Sequence, residues 1–330
     1  MTDAPLLPRA SRLASLVRTA RPRHAFVLTR ERIVYVGPPA EKPPKGTPPG
    51  PPLRFVSRAL PADAFAPGPA GSPVGRASLH AAVSRLVAEA GGKITAASLV
   101  VPDDFVRILT IDAEEPEKRP KETEDVLVWR FGKTFGDPVP PLRLSWQAAG
   151  AGAAGTRVIA LAVPEEAAAS WESAFEKAGV RIGAVETSAL AASNIAERAV
   201  LGDGFILWSD GPAATTLFFR AGGLRFLRTR ETTDTEEALQ DVRLAVSFVA
   251  GEMTPGSSAP TSAAVPGRCA AGPAGVPLVD AFRAFQEAEG GSAPALVTLA
   301  SLPGAPLVAG ATREEEPALL AALGALEGVA

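Results

Sequence analysis

Apolar and polar positions are most regularly ordered in residues 204–230, where three apolar runs of strand length are separated by two turns. The runs are rich in aromatic and β-branched residues, and the turns are Asp210-Gly211-Pro212 and Gly222-Gly223. From residue 235 to 253, apolar residues recur every three or four positions, which predicts a helix with one apolar face. The pattern therefore predicts a helix preceded by three strands, at 205–208, 216–219 and 224–227.

The same order of elements recurs near the N-terminus. Apolar runs at 25–28 and 33–36 flank a short charged segment and predict a hairpin. A third strand, a helix and a fourth strand are predicted at 53–57, 79–90 and 97–101. Two units of three strands and a helix in one chain predict two related α/β lobes that face each other across a cleft.

Between the two units, residues 102–185 predict a small inserted α/β subdomain. Its predicted elements are strands at 105–111, 142–146 and 157–163 and helices at 122–135 and 164–178. A last apolar stripe at 314–326 predicts a closing helix. The chain is therefore divided into a tail at 1–24, a first lobe at 25–101, the inserted subdomain at 102–185 and a second lobe at 186–330.

Composition and charge exclude several classes of function. With 330 residues, 46% of them hydrophobic, the chain can bury two or three cores. A net charge of −3 and the lack of a dense basic run with aromatics argue against nucleic-acid binding. The single Cys269 excludes an internal disulfide, and His24 and His80 lie too far apart in sequence to indicate a metal site. No segment is long and apolar enough to cross a bilayer, so we expect a cytoplasmic protein.

Three runs carry a resemblance to a known family. They are VVPDDFVRILTID, WRFGKTFGDPVPPLRLSWQ and RVIALAVPEEAAASWESAFEKAGVRIGAVETSALAASN. In order and spacing over residues 25–230, the chain resembles a divergent member of the type IV pilus assembly protein PilM family, with GspL and FtsA as further relatives. The resemblance implies an α/β fold of the actin-like (ribonuclease H-like) type, with duplicated lobes and an inserted small α/β subdomain.

The family resemblance also locates two phosphate loops, which carry an Asp and a Gly at the first hairpin of each lobe. An ungapped match places Val27 and Thr29 at these positions in the first lobe, and Trp208 and Asp210 in the second. With a shift, the second hairpin could imitate a phosphate loop; an ordinary tight turn is the alternative. The candidate residues for this degenerate nucleotide site are Asp210, Gly211, Thr215 and Thr216. We predict no catalytic residue, no metal ligand and no cofactor, with ATP and Mg²⁺ as the alternative.

The resemblance implies a scaffold at the inner membrane. Such a protein would bind the cytoplasmic segment of a PilN-like partner, which supplies the membrane anchor, and pilus motor ATPases are further candidate partners. An active actin-like ATPase is the alternative function. The partner peptide is expected between the first lobe and the inserted subdomain, and Phe105 could instead be a core residue. The candidate contact residues are Val100, Phe105, Leu142, Leu144 and Trp146.

Overall fold

The computed structural model describes most of the two predicted lobes and the segment between them. Every structural statement below concerns these residues: 21–39, 53–62, 64–65, 75–135, 139–152, 155–199, 204–209, 213–220, 223–232, 234–251, 268–269, 276–288, 295–296 and 315–327. The strands are β1 Ala25–Leu28, β2 Arg32–Gly37, β3 Arg54–Ala59, β4 Ala96–Val101, β5 Arg107–Ala113, β6 Leu142–Gly152, β7 Gly155–Pro164, β8 Arg181–Thr187, β9 Gly204–Ser209, β10 Ala213–Arg220, β11 Gly223–Glu231, β12 Arg268–Cys269 and β13 Ala295–Leu296. The helices are α1 Arg76–Ala90, α2 Pro120–Phe135, α3 Glu165–Glu176, α4 Ser188–Ala199, α5 Thr235–Gly251, α6 Val276–Ala288 and α7 Glu316–Glu327.

The first lobe is built on a five-stranded sheet in the order β3-β2-β1-β4-β8. The hairpin strands β1, β2 and β3 pair antiparallel, whereas β4 is parallel to both β1 and β8. Side chains alternate between the two faces of each strand, so both faces of β1 can be apolar only if each face is covered. Helices α1 and α3 cover the face that carries Phe26 and Leu99. Helices α4 and α7 cover the face that carries Val27 and Val100.

The inserted subdomain has a sheet of its own, in the order β5-β7-β6. Helix α2 packs on it through Leu127 and Phe131, which meet Val158 and Ala160 in a small separate core. The sequence assigned α3 and β8 to this subdomain as well. In the structure β8 is the edge strand of the first-lobe sheet, and α3 packs in the first-lobe core, so the two elements belong to the first lobe.

The second lobe contains the predicted three-stranded sheet, in the order β11-β10-β9. Helices α5 and α6 cover one face, where Leu207 and Phe218 pack against Val242 and Phe282. The other face of this sheet joins the cluster under α4 and α7. The closing helix α7, assigned from the sequence to the second lobe, therefore lies where the two lobes meet.

Most predicted element bounds agree with the structure to within a few residues. The exception that bears on function is Phe105, a candidate partner-binding residue. Phe105 was predicted to begin a strand. It lies instead at the end of the short 3₁₀ helix Asp103–Phe105, which follows Pro102, and the strand begins at Arg107. The turn directs Phe105 back into the first-lobe core, against Phe65 and Trp171.

Helices α4 and α7 approach so closely at Gly324 that no side chain fits there. A Cβ at this position would lie 1.7 Å from the carbonyl oxygen of Ala191. We predict that Gly324→Ala lowers the free energy of unfolding by roughly 1–3 kcal/mol or more, because backbone must move to make room. Gly132→Ala on α2 is the matched control, since its Cβ would meet only the Val139 side chain, at 3.2 Å. Urea unfolding that ranks the two variants equally would contradict this packing.

Candidate functional site

The carboxyl ends of the parallel strands β1, β4 and β8 meet at one edge of the first-lobe sheet, and ligands of open α/β sheets bind at such edges. The second lobe faces this edge through β10. We call the polar residues at this edge the strand-end site: Arg30, Asp103, Asp104, Ser188 and Thr215.

Asp103 connects three elements at the centre of the strand-end site. Its carboxylate is buried and accepts the backbone N–H of Ala189 at 3.0 Å, in the first turn of α4. The other oxygen accepts the hydroxyl of Thr215, on β10 of the second lobe, at 2.6 Å. The Ser188 hydroxyl donates to the carbonyl of Val101, at the end of β4, at 3.1 Å. Asp103 therefore caps α4 and joins the two lobes through hydrogen bonds.

Burial controls the ionisation of this carboxylate. The pKa of Asp103 is raised to about 6, mainly by desolvation and to a smaller extent by the charge of the neighbouring Asp104. The hydrogen bonds from Ala189 and Thr215 oppose the shift because they favour the charged form. A carboxylate with this pKa changes its charge under mildly acidic conditions.

Arg30 and Asp104 form the second polar contact of the site. The Arg30 guanidinium, from the β1–β2 turn, is ion-paired with Asp104 and lies 5.2 Å from the centre of the Phe105 ring. Burial raises the pKa of Asp104, and the Arg30 guanidinium opposes that shift. The β1–β2 turn, which the resemblance identified as a phosphate loop, is thus bound to the carboxylate of Asp104 through Arg30.

The backbone N–H groups of the β1–β2 turn also form hydrogen bonds within the turn. Thr29 Oγ1 accepts the N–H groups of Arg32 at 2.9 Å and Glu31 at 3.3 Å, and the Thr29 N–H donates to the Arg32 carbonyl at 2.8 Å. A phosphate loop needs such N–H groups directed at the ligand. In this chain the N–H groups of Thr29, Glu31 and Arg32 donate to acceptors within the turn and not toward a ligand.

Val27 and Trp208 stand at the positions where the resemblance expects a carboxylate. Each is only 1% exposed, and both belong to the apolar cluster under α4 and α7. Among the described residues, the Trp208 indole N–H has no hydrogen-bond partner. Mg²⁺ binds hard oxygen ligands, and neither side chain supplies one. The residues at these two positions therefore do not fit a magnesium nucleotide.

The four candidate nucleotide residues have different positions. Thr215 lies in the strand-end site and binds Asp103. Thr216 is buried, and as the next residue of β10 it faces the opposite side of the strand. Asp210 and Gly211 lie outside the described residues. Asp103 was not among the residues predicted for this site, although its place directly after a buried strand and a proline was a usable signal.

The candidate partner residues also separate into two groups. Val100 and Phe105 are buried in the two cores of the first lobe, and burial removes them from any surface that a partner could contact. Leu142, Leu144 and Trp146 are half-buried on β6, against α2. Because β6 is an edge strand of its sheet, this second group lies beside backbone that could pair with an added strand.

The inserted subdomain is joined to the second lobe across the cleft. Arg107 on β5 is ion-paired with Glu231 on β11. Arg157 on β7 donates to the Arg225 carbonyl at 2.6 Å and to Asp112 at 3.1 Å. These contacts hold β11 against the inserted sheet.

In the described part of the chain, no group of three or more His, Cys, Asp or Glu side chains is arranged to hold a metal ion. Within the same ranges, no helix combines the length and the apolar character needed to span a membrane.

The duplicated lobes and inserted subdomain define an actin-like ATPase fold, which confirms the predicted fold class. The chain is similar to the solved PilM–PilN type IV pilus biogenesis complex, with a TM-score of 0.62, 15% identity, and coverage of 94% of this chain and 98% of that one. It is also similar to a Bacteroides thetaiotaomicron protein with an actin-like ATPase fold and unknown function, with a TM-score of 0.51, 9% identity, and coverage of 87% and 94%. No protein-family profile and no curated protein sequence matches the chain. At these identities the likeness concerns the fold.

We predict that Asp103 makes the protein less stable as the pH rises from about 4 to about 6. The unfolded chain releases this proton near pH 4, whereas the folded chain keeps it until about pH 6. In this window the contribution to the free energy of unfolding falls by roughly 1.4 kcal/mol per pH unit, and above it the loss is complete.

Asp103→Asn should make this slope shallower, because only Asp104, whose pKa burial also raises, then contributes to it. The amide can still accept from Ala189 and can donate to Thr215. Urea unfolding at several pH values would measure it. Glu176→Gln, which neutralises an exposed carboxylate on α3, is the control and should keep the wild-type slope. Equal slopes in the wild type and Asp103→Asn would refute this assignment.

Proposed function

We propose that the chain is a scaffold of a type IV pilus, or of a related secretion system, and that it binds a PilN-like partner without nucleotide chemistry. In this proposal it works in the cytoplasm and is held at the inner membrane by that partner. Pilus motor ATPases are further candidate partners. The similarity in fold to PilM supports the choice of system.

The observation that carries the proposal is the occupation of the strand-end site by the chain's own side chains. Arg30 is paired with Asp104, and Asp103 is bound to α4 and β10. Val27 and Trp208 replace carboxylates with apolar bulk. Residues of the chain itself thus connect the lobes at the place where a nucleotide would otherwise connect them, which supports a scaffold role without a nucleotide.

We expect no saturable binding of MgATP by the full chain in isothermal titration calorimetry. The physical reason is the lack of oxygen ligands at Val27 and Trp208, together with the use of the turn N–H groups by Thr29. Tight, saturable heat would refute the proposal and favour an active ATPase.

Restoring one carboxylate should not restore binding. Val27→Asp places a charge among the apolar side chains under α7, so we expect a loss of several kcal/mol in stability. Val27→Ala, which removes volume without adding charge, is its control in the same unfolding experiment.

For the partner, we propose that an extended peptide lies along the edge of β6, next to Leu142, Leu144 and Trp146. Extended peptides gain affinity from main-chain hydrogen bonds to an open strand edge, and side-chain pockets give specificity. The half-buried row of apolar side chains on β6 supports this placement.

Trp146→Ala should weaken binding of a synthetic PilN-type peptide by about tenfold or more, since aromatic anchors dominate such contacts. Trp129→Ala is the matched control, because Trp129 lies on the outer side of α2 in the same subdomain. Fluorescence anisotropy with a labelled peptide would measure both affinities, and thermal melts would verify folding. Equal affinities for the two variants would place the peptide elsewhere.

A further inference from the structure

The edge strand β6 presents different side chains on its two faces. Leu142, Leu144 and Trp146 alternate along the strand and pack against the core under α2. Arg143 lies between the two leucines in sequence, so its side chain is on the opposite face. A strand added to this edge would continue the sheet and direct its own side chains to the same two faces. The chemistry along each face therefore decides which extended peptide fits.

On the α2 side, the Trp146 indole lies beside a carboxylate. Its N–H donates to Glu124 Oε1 in a long contact of 3.5 Å. Glu124 is exposed, and within the described ranges no basic side chain pairs with it. One end of the apolar row on β6 is thus an aromatic ring next to an exposed negative charge.

A Trp ring beside a carboxylate is a suitable binding place for a cation. An ammonium or guanidinium group is attracted both to the face of an indole ring and to a carboxylate. An added strand places one residue directly opposite Trp146, with the two Cβ atoms about 5 Å apart on the same face. A Lys or Arg side chain at that position can therefore contact the indole ring and reach the Glu124 carboxylate.

The remainder of the row favours apolar partners. Leu142 and Leu144 are half-buried, and Val128, one turn after Glu124 on α2, is 47% exposed. Apolar side chains opposite the two leucines would remove this remaining surface from water. Because alternate residues of a strand share a face, these apolar positions of the peptide are two and four residues from its basic position.

The opposite face of β6 does not repel a basic peptide. The Arg143 guanidinium is ion-paired with Glu165 and with Glu172, both on α3. Its Nε and both terminal nitrogens donate to these carboxylates. Two carboxylates against one guanidinium leave a net negative charge in this cluster. Both faces of the β6 edge therefore carry an excess of negative charge.

We propose that the β6 edge selects an extended peptide that carries two apolar residues and one basic residue at alternating positions. The apolar residues lie opposite Leu142 and Leu144, and the Lys or Arg lies opposite Trp146, paired with Glu124. This inference rests on the proposed placement of the partner on β6 and adds the chemistry of that partner. The charge of Glu124 decides in favour of a basic occupant.

Fluorescence anisotropy with the full chain and labelled peptides tests the basic position. The probes are serine-flanked peptides that contain Leu-Ser-Leu-Ser-Arg or the reverse order, since a strand can add in either direction. The order that binds more tightly is compared with the same peptide carrying Gln or Glu in place of Arg. We expect the Gln peptide to bind about three- to tenfold more weakly, and the Glu peptide more weakly still, because both lose the ion pair and the cation–π contact. Equal affinities would overturn the proposal.

Variants of the chain assign this preference to one carboxylate. Glu124→Gln keeps a carbonyl acceptor for the indole N–H but removes the charge, so it should bind the Arg and Gln peptides with nearly equal affinity. Glu124→Lys should prefer the Glu peptide. Glu122→Gln is the matched control, because it removes the same charge from the opposite side of α2, and it should keep the wild-type preference. A preference for Arg that survives Glu124→Gln would reject the pairing.

Trp146→Ala separates a failure of this inference from a failure of the proposed partner site. Peptides that Trp146→Ala weakens, but that bind equally well with Arg or Gln, would overturn the basic position and leave the partner on β6. Peptides that neither Trp146→Ala nor Glu124→Gln affects would bind elsewhere, which would overturn both proposals. If none of these peptides binds while a PilN-type peptide does so through Trp146, only the present inference fails.

Discussion

The structure depends on covering the second face of the first-lobe sheet. Strands β1 and β4 are central, so Val27 and Val100 must be buried by elements outside the lobe's own sequence segment. Helix α7, from the far end of the chain, and the inner face of β9 and β10 provide this cover. Gly324 allows α7 to lie directly on α4. The first lobe therefore has no complete core without the second, and we expect the two to unfold together.

The buried carboxylate of Asp103 lies at the same junction and adds directional hydrogen bonds to the apolar contact between the lobes. An ionised group in such a site is tolerated only when its oxygens are hydrogen-bonded. Asp103 meets that condition through Ala189 and Thr215, which belong to different elements on opposite sides of the cleft. Rotation of the second lobe away from the first would break the hydrogen bond from Thr215 to the Asp103 carboxylate. Burial of the apolar cluster stabilises the contact between the two lobes, and the hydrogen bonds of Asp103 favour one relative orientation of them.

These two constraints bear on function in the same way. Side chains that belong to the chain make polar contacts at the strand ends, and one of these contacts, between Asp103 and Thr215, joins the two lobes. Among the described residues, the inserted subdomain presents an edge strand, β6, and an exposed aromatic side chain, Trp129 on α2. Recognition at surfaces that are already ordered costs little conformational entropy, which favours the proposed role as an assembly component.

The sequence by itself determined the order of strands and helices, because apolar periodicity is a local property and burial of each stripe requires it. Read with the family resemblance, it also predicted apolar side chains, Val27 and Trp208, at the two positions where the family carries a carboxylate. Only the tertiary structure decided that Phe105 is a core residue, that β8 belongs to the first sheet and that α7 closes the junction. It alone joined Asp103 to Thr215, 112 residues away along the chain. The packing of the elements decides which residues form such a pair. Apolar periodicity along the sequence carries no information about contacts between residues that are far apart in the chain.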